Sequence, residues 1–94
     1  MNQQIVRKHI TVYGRVQGVG FRYRASHAAQ MLHLTGWVRN DPEGTVTMEL
    51  QGEQELICRM IPLLEKDSWI SIEDWEENSM PVDEEERSFS IRGY

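Results

Sequence analysis

Three glycines and two arginines within nine residues, Gly14-Arg15-Val16-Gln17-Gly18-Val19-Gly20-Phe21-Arg22, make a stretch suited to holding an anion. Glycine permits positive φ and close backbone approach, so N–H groups of residues 15–20 can converge on one point. A helix starting near Phe21 would add its unpaired first-turn amides and its positive dipole end. Arg22, in that turn, would supply a planar and permanently charged fork for two phosphoryl oxygens. The residue types suit phosphate. Spacing alone equally describes an ordinary strand-to-helix turn, and no Lys-Ser/Thr pair follows to make a Walker loop. The second candidate is Asn40, just before the turn Asp41-Pro42-Glu43-Gly44. Its amide both donates and accepts, so it could hold a water against phosphorus, or simply initiate the turn.

The elements around these residues follow from periodicity. Val6, Ile10 and Val12 share one parity of a strand over Ile5 to Tyr13, interrupted by Lys8. Arg7, His9, Thr11 and Tyr13 occupy the other. Phe21, Ala25, Ala28 and Leu32 then fall at helical spacing, with Gly36 expected to stop the helix region. Trp37 to Asn40, the Asp41–Gly44 turn, and alternating Val46, Met48 and Leu50 read as a hairpin. After Gly52, a stripe of Leu56, Ile57, Met60, Ile61 and Leu64 predicts a second helix, kinked or shortened by Pro62. Ile70 and Ile72 predict a strand to about Trp75, residues 76–87 a solvated acidic loop, and Ser88–Arg92 a closing strand.

The order β-α-β-β-α-β predicts an α+β, ferredoxin-like βαββαβ sandwich: one antiparallel sheet with both helices on one face. A split or additional terminal strand would fit the same order. Residues 1–94 are expected to form a single domain. The fold by itself assigns no activity.

Bulk properties narrow the function classes. A hydrophobic fraction of 39% and a charged fraction of 27% are ordinary for a globular protein. No apolar run approaches the roughly 20 residues that span a bilayer. Met1-Asn2-Gln3-Gln4 lacks a secretory pattern, and Cys58 alone permits neither an internal disulfide nor a zinc site. A cytoplasmic monomer without membrane attachment is expected. The net charge of −5 is uneven: residues 1–47 carry six basic and two acidic side chains, residues 48–94 four and thirteen. A cationic pocket on an acidic body would attract a small anion while repelling nucleic acid.

Taken together, Gly14–Arg22 and Gly36-Trp37-Val38-Arg39-Asn40-Asp41-Pro42-Glu43-Gly44-Thr45-Val46 closely resemble the two signature stretches of the acylphosphatases. The resemblance covers residues 5–60, weakens afterwards, and returns at Phe89-Ser90-Ile91. It departs at Pro62 and Lys66-Asp67-Ser68-Trp69, where the family commonly has a Gly-Pro-type junction. The resemblance implies a small ferredoxin-like enzyme that hydrolyses acyl phosphates to a carboxylate and inorganic phosphate, with no metal and no cofactor. It also implies that Arg22 binds phosphate and Asn40 positions the attacking water. The loop Arg15, Val16, Gln17, Gly18, Val19 and Gly20 corresponds to the family's amide cradle. A non-catalytic phosphate-binding regulatory module is the alternative, and an intact Arg22–Asn40 pair disfavours it.

The remaining chemistry-bearing residues have plainer expectations. Arg15, Arg24 and Arg39 read as surface charges able to raise the local potential. His9, His27 and His33 have neither a nucleophile nor a metal partner at suitable spacing. Trp37 suits packing, and Trp69 and Trp75 suit cover for the sheet face away from the helices. Acidic neighbours argue against these tryptophans as an RNA platform. Cys58 reads as a buried small hydrophobe. Asp83-Glu84-Glu85-Glu86 reads as a solubilising loop.

Overall fold

Alternation buries one side of β1 (Ile5–Arg15), whose Ile10 and Val12 sit in the core. The computed structural model describes residues 4–93, so Met1–Gln3 and Tyr94 lie outside the described residues. The chain continues through α1 (Phe21–Met31), β2 (Thr35–Asn40), β3 (Val46–Glu53), α2 (Gln54–Ile57), α3 (Met60–Leu64), β4 (Ser71–Met80) and β5 (Phe89–Arg92). The sheet order is β4-β1-β3-β2-β5. All neighbours are antiparallel except β2 and β5, which run parallel, so the expected antiparallel sheet is mixed at one edge.

The β2–β3 hairpin register pairs Asn40 with Val46 and Val38 with Met48. The β1–β3 register then pairs Val12 with Val46 and Ile10 with Met48. These side chains share the face covered by Phe21, Ala25, Ala28 and Ala29 of α1 and by Ile57, Met60, Ile61 and Leu64 of the second helical segment. Burying apolar area at about 25 cal/mol per Å² is what holds the helices to the sheet.

Three local expectations are corrected. The first helix ends well before Gly36. Leu34 donates to the Ala29 carbonyl and His33 to that of Gln30, with His33 at φ 58°. That is a Schellman stop, made with a non-glycine residue in the left-handed region. The second helix is broken into α2 and α3 at Cys58–Arg59, before Pro62, whose ring crowds the carbonyl four residues back. Cys58 consequently sits on an outward turn and is exposed rather than buried.

The acidic stretch is the third correction. Glu76, Glu77 and Asn78 belong to edge strand β4 and pair with Thr11, Ile10 and His9. Its charges discourage pairing with another chain at that open edge. Trp75 pairs with Val12 and therefore lies on the helix side of the sheet, while Trp69 stands in the turn before β4.

Beyond β4, residues 81–88 form a fastened strap. Arg7, only 4% exposed, reaches Glu86 at 2.7 Å and Glu49 at 2.8 Å. Gln51 donates to the Asp83 carbonyl and accepts from the Asp83 N–H, both at 2.8 Å. Hydrogen bonding to Glu86 and Glu49 outweighs burial and keeps the Arg7 guanidinium above its ordinary pKa. His9 Nδ1 lies 2.8 Å from Glu49. Trp37, on the same face, is flanked by the Arg92 and Arg39 guanidinium groups at 4.5 and 5.0 Å. Much of the far face is thus tied up in ion pairs, hydrogen bonds and cation–π contacts.

Candidate active site

The chain leaves β1 at Arg15, crosses residues 16–20, and enters α1 through Gly20. Gly18 and Gly20 have φ of 73° and 78°, a region that favours glycine. A Cβ at either position would meet open space, so backbone conformation rather than packing selects glycine there. Among the described residues, the N–H groups of Val16 to Gly20 donate to no backbone carbonyl. No side chain caps α1, and its first turn holds no acidic residue. Free amides and a positive helix end therefore share one end of the sheet.

A cavity of about 160 Å³ lies there, lined by Val16, Gly18, Gly20, Phe21, Arg22, Tyr23 and Asn40. No salt bridge among the described residues involves Arg22, so its charge is uncommitted. Asn40 is 8% exposed, and its buried Oδ1 has no hydrogen-bond partner among the described residues. A buried amide oxygen left unpaired costs about 1–3 kcal/mol. Such a cost points to an acceptor kept for a ligand or water.

The other expected loop residues are placed differently. Arg15 is exposed and pairs with Ser71 in the sheet, and Val19 packs against the core. The Gln17 side chain donates to the Asp41 carbonyl at 2.7 Å and the Thr45 carbonyl at 2.8 Å. It ties the loop to the hairpin turn that carries Asn40. Arg24 is paired with Asp67 at 2.7 Å, and Arg39 with Asp41 at 3.1 Å. The three histidines are absent from the cavity lining. A larger cavity of about 430 Å³, between α1 and residues 63–69, holds Arg24 and His27 but neither Arg22 nor Asn40.

Asp41 anchors the turn that follows Asn40, a role the sequence alone does not reveal. Its carboxylate accepts from Thr47 at 2.7 Å, Thr45 at 2.9 Å and Arg39 at 3.1 Å. Its backbone closes the turn through Thr45 and Gly44. The residue after Asn40 is therefore fixed on every side. The only available signal was an Asp at a turn with threonines four and six residues on.

Burial pushes the Asp41 carboxyl up, but hydrogen bonds from Thr47, Thr45 and Arg39 outweigh it and leave it below its usual range. Burial likewise raises Glu49, and His9 and Arg7 bring it below that range. A carboxyl depressed in the folded state stabilises the fold above its unfolded pKa and loses that contribution as pH falls through the folded value. The urea midpoint is thus expected to hold from neutral pH to about 5 and to fall below about 4. Asp41→Asn and Glu49→Gln should each flatten the acid limb. An unchanged limb in both would contradict these networks.

Among the described residues, no group of three or more His, Cys, Asp or Glu is arranged to hold a metal ion. No helix among the described residues is long and apolar enough to cross a membrane.

Known proteins resemble this chain in sequence and fold. The acylphosphatase family model matches residues 8–91. An acylphosphatase of Bifidobacterium longum is 40% identical over 90 residues, covering 94% of this chain and 93% of that protein. One from Geobacillus kaustophilus is 49% identical over 59 residues, and the matched segment spans 63% of each chain. The crystal structure of acylphosphatase from Bacillus subtilis superposes with a TM-score of 0.85 at 30% identity, covering 93% of this chain and 98% of that one. Family-model match, sequence identity and overall fold agree: this chain belongs to the acylphosphatase family.

Proposed function

We propose that residues 1–94 act as a single domain that hydrolyses the carboxyl–phosphate bond of acyl phosphates, releasing a carboxylate and inorganic phosphate. One observation carries this reading: Arg22, which enters no salt bridge among the described residues, and Asn40, whose buried Oδ1 has no partner among them, line the same small cavity at a free helix N-terminus. The amides of residues 16–20 and the Arg22 fork hold the equatorial phosphoryl oxygens, stabilising charge as the P–O bond to the acyl group breaks. The Asn40 side chain accepts a hydrogen bond from the attacking water and aligns it opposite the leaving oxygen.

The leaving group is a carboxylate, which is weakly basic and departs without a protein acid. Among the described residues no carboxylate or imidazole side chain lines the cavity. A phosphoryl oxygen therefore takes the water's proton, giving dihydrogen phosphate and hydrogen phosphate in the ratio that pH sets. Alignment and charge stabilisation do the work.

Hydrolysis of acetyl phosphate in ¹⁸O-water tests the site of attack. The label is expected in inorganic phosphate after a single turnover. Label in the acetate would place the attack at carbon and overturn the assignment of Asn40.

A further inference from the structure

Tyr23 is the most exposed large apolar side chain among the described residues, at 77%, and it stands at the lip of the Arg22–Asn40 cavity. Resting on the acyl phosphate reading above, we propose that Tyr23 is a specificity-determining residue that favours acyl groups with an uncharged ring, packed against its own ring outside the cavity.

The argument begins with size. At about 160 Å³ the cavity is well short of the roughly 300 Å³ at which pockets begin to enclose a drug-sized ligand. With the phosphoryl group between Arg22 and Asn40, the acyl group must extend past the rim. The other lining residues offer it little. Val16 and Phe21 are buried in the floor, at 0% and 2% exposure, while Gly18 and Gly20 present only backbone. Tyr23 lies in the first turn of α1 and lines the same cavity as Arg22, so its ring stands within reach of an acyl group whose phosphate Arg22 holds.

Charge sets the rest of the preference. Among the described residues Arg22 is the only cationic side chain on the lining, and the phosphoryl group uses it. Arg24, next on the helix, is engaged by Asp67. An acyl group bearing a second anion finds no partner there, whereas a neutral ring covers apolar surface that water now wets. Ring-on-ring packing of about 0.5–1.5 kcal/mol beyond area burial corresponds to roughly a twofold to twelvefold preference.

Calorimetric binding of phenylphosphonate and methylphosphonate reads this preference without needing turnover. The wild type is expected to bind the phenyl compound several-fold more tightly. Tyr23→Ala should bring the affinity ratio close to one, and Tyr23→Phe should restore it. A ratio that survives in Tyr23→Ala would overturn the proposal, as would equal binding of both compounds by the wild type. Acetyl and benzoyl phosphate turnover separates the two readings. No hydrolysis, with the Tyr23-dependent ratio intact, removes the hydrolase and leaves the ring subsite. Hydrolysis with no such ratio does the reverse.

Discussion

Arg22→Lys is expected to lower kcat/KM for acyl phosphates by about a thousandfold, although the charge is retained. The guanidinium presents parallel N–H groups in a rigid plane, which match two phosphoryl oxygens at once. An ammonium is a point charge on a flexible stem and cannot hold that plane against in-line attack. Losing one preorganised donor to developing charge costs about a hundredfold to a thousandfold. Here the phosphoryl group loses both the fork and its orientation. Arg22 has no salt bridge to break, so the fold should be unaffected. Equal urea midpoints for variant and wild type check that point, and near-normal turnover by Arg22→Lys would refute the fork.

Asn40→Ala should act differently. Its Oδ1 is buried without a partner, so the side chain contributes little to folding and its removal relieves an unpaired acceptor. Turnover is expected to fall by about a hundredfold or more in kcat, because the water is no longer aligned. Competitive inhibition by inorganic phosphate should change little, since Arg22 and the loop amides remain. Unchanged kcat with a large loss of phosphate affinity would instead make Asn40 a ligand-binding group. The two variants thus separate holding the phosphoryl group from positioning its attacker.

Much of this arrangement was legible in the sequence because it is local. The shift from two-residue to 3.6-residue periodicity at Phe21 locates the loop, the helix start and Arg22 together. The Asp41–Gly44 turn similarly sets Asn40 at a strand end. What was not legible depends on partners distant in the chain. Gln17 reads as one more loop residue until its acceptors, 24 and 28 positions away, are brought beside it. Arg7 reads only as one residue of the second strand parity until Glu86, 79 positions on, pairs with it.

β4 escaped notice from Glu76 onward because an edge strand wet on both sides needs no alternation. The helix stop at His33 was hidden because the sequence offered Gly36 as the more obvious breaker, and a left-handed histidine leaves little local sign. Cys58 was misplaced for a related reason: a helical stripe predicts its side only while the helix is continuous.

Hydrolysis of benzoyl phosphate by the wild type and Arg22→Ala, in EDTA and beside a phosphomonoester, tests the central claim most directly. The account predicts rapid loss of the acyl phosphate with the wild type, none above background with Arg22→Ala, and an untouched phosphomonoester. A folded wild-type protein that binds phosphate yet hydrolyses neither substrate would contradict it and make the cradle an anion-binding module.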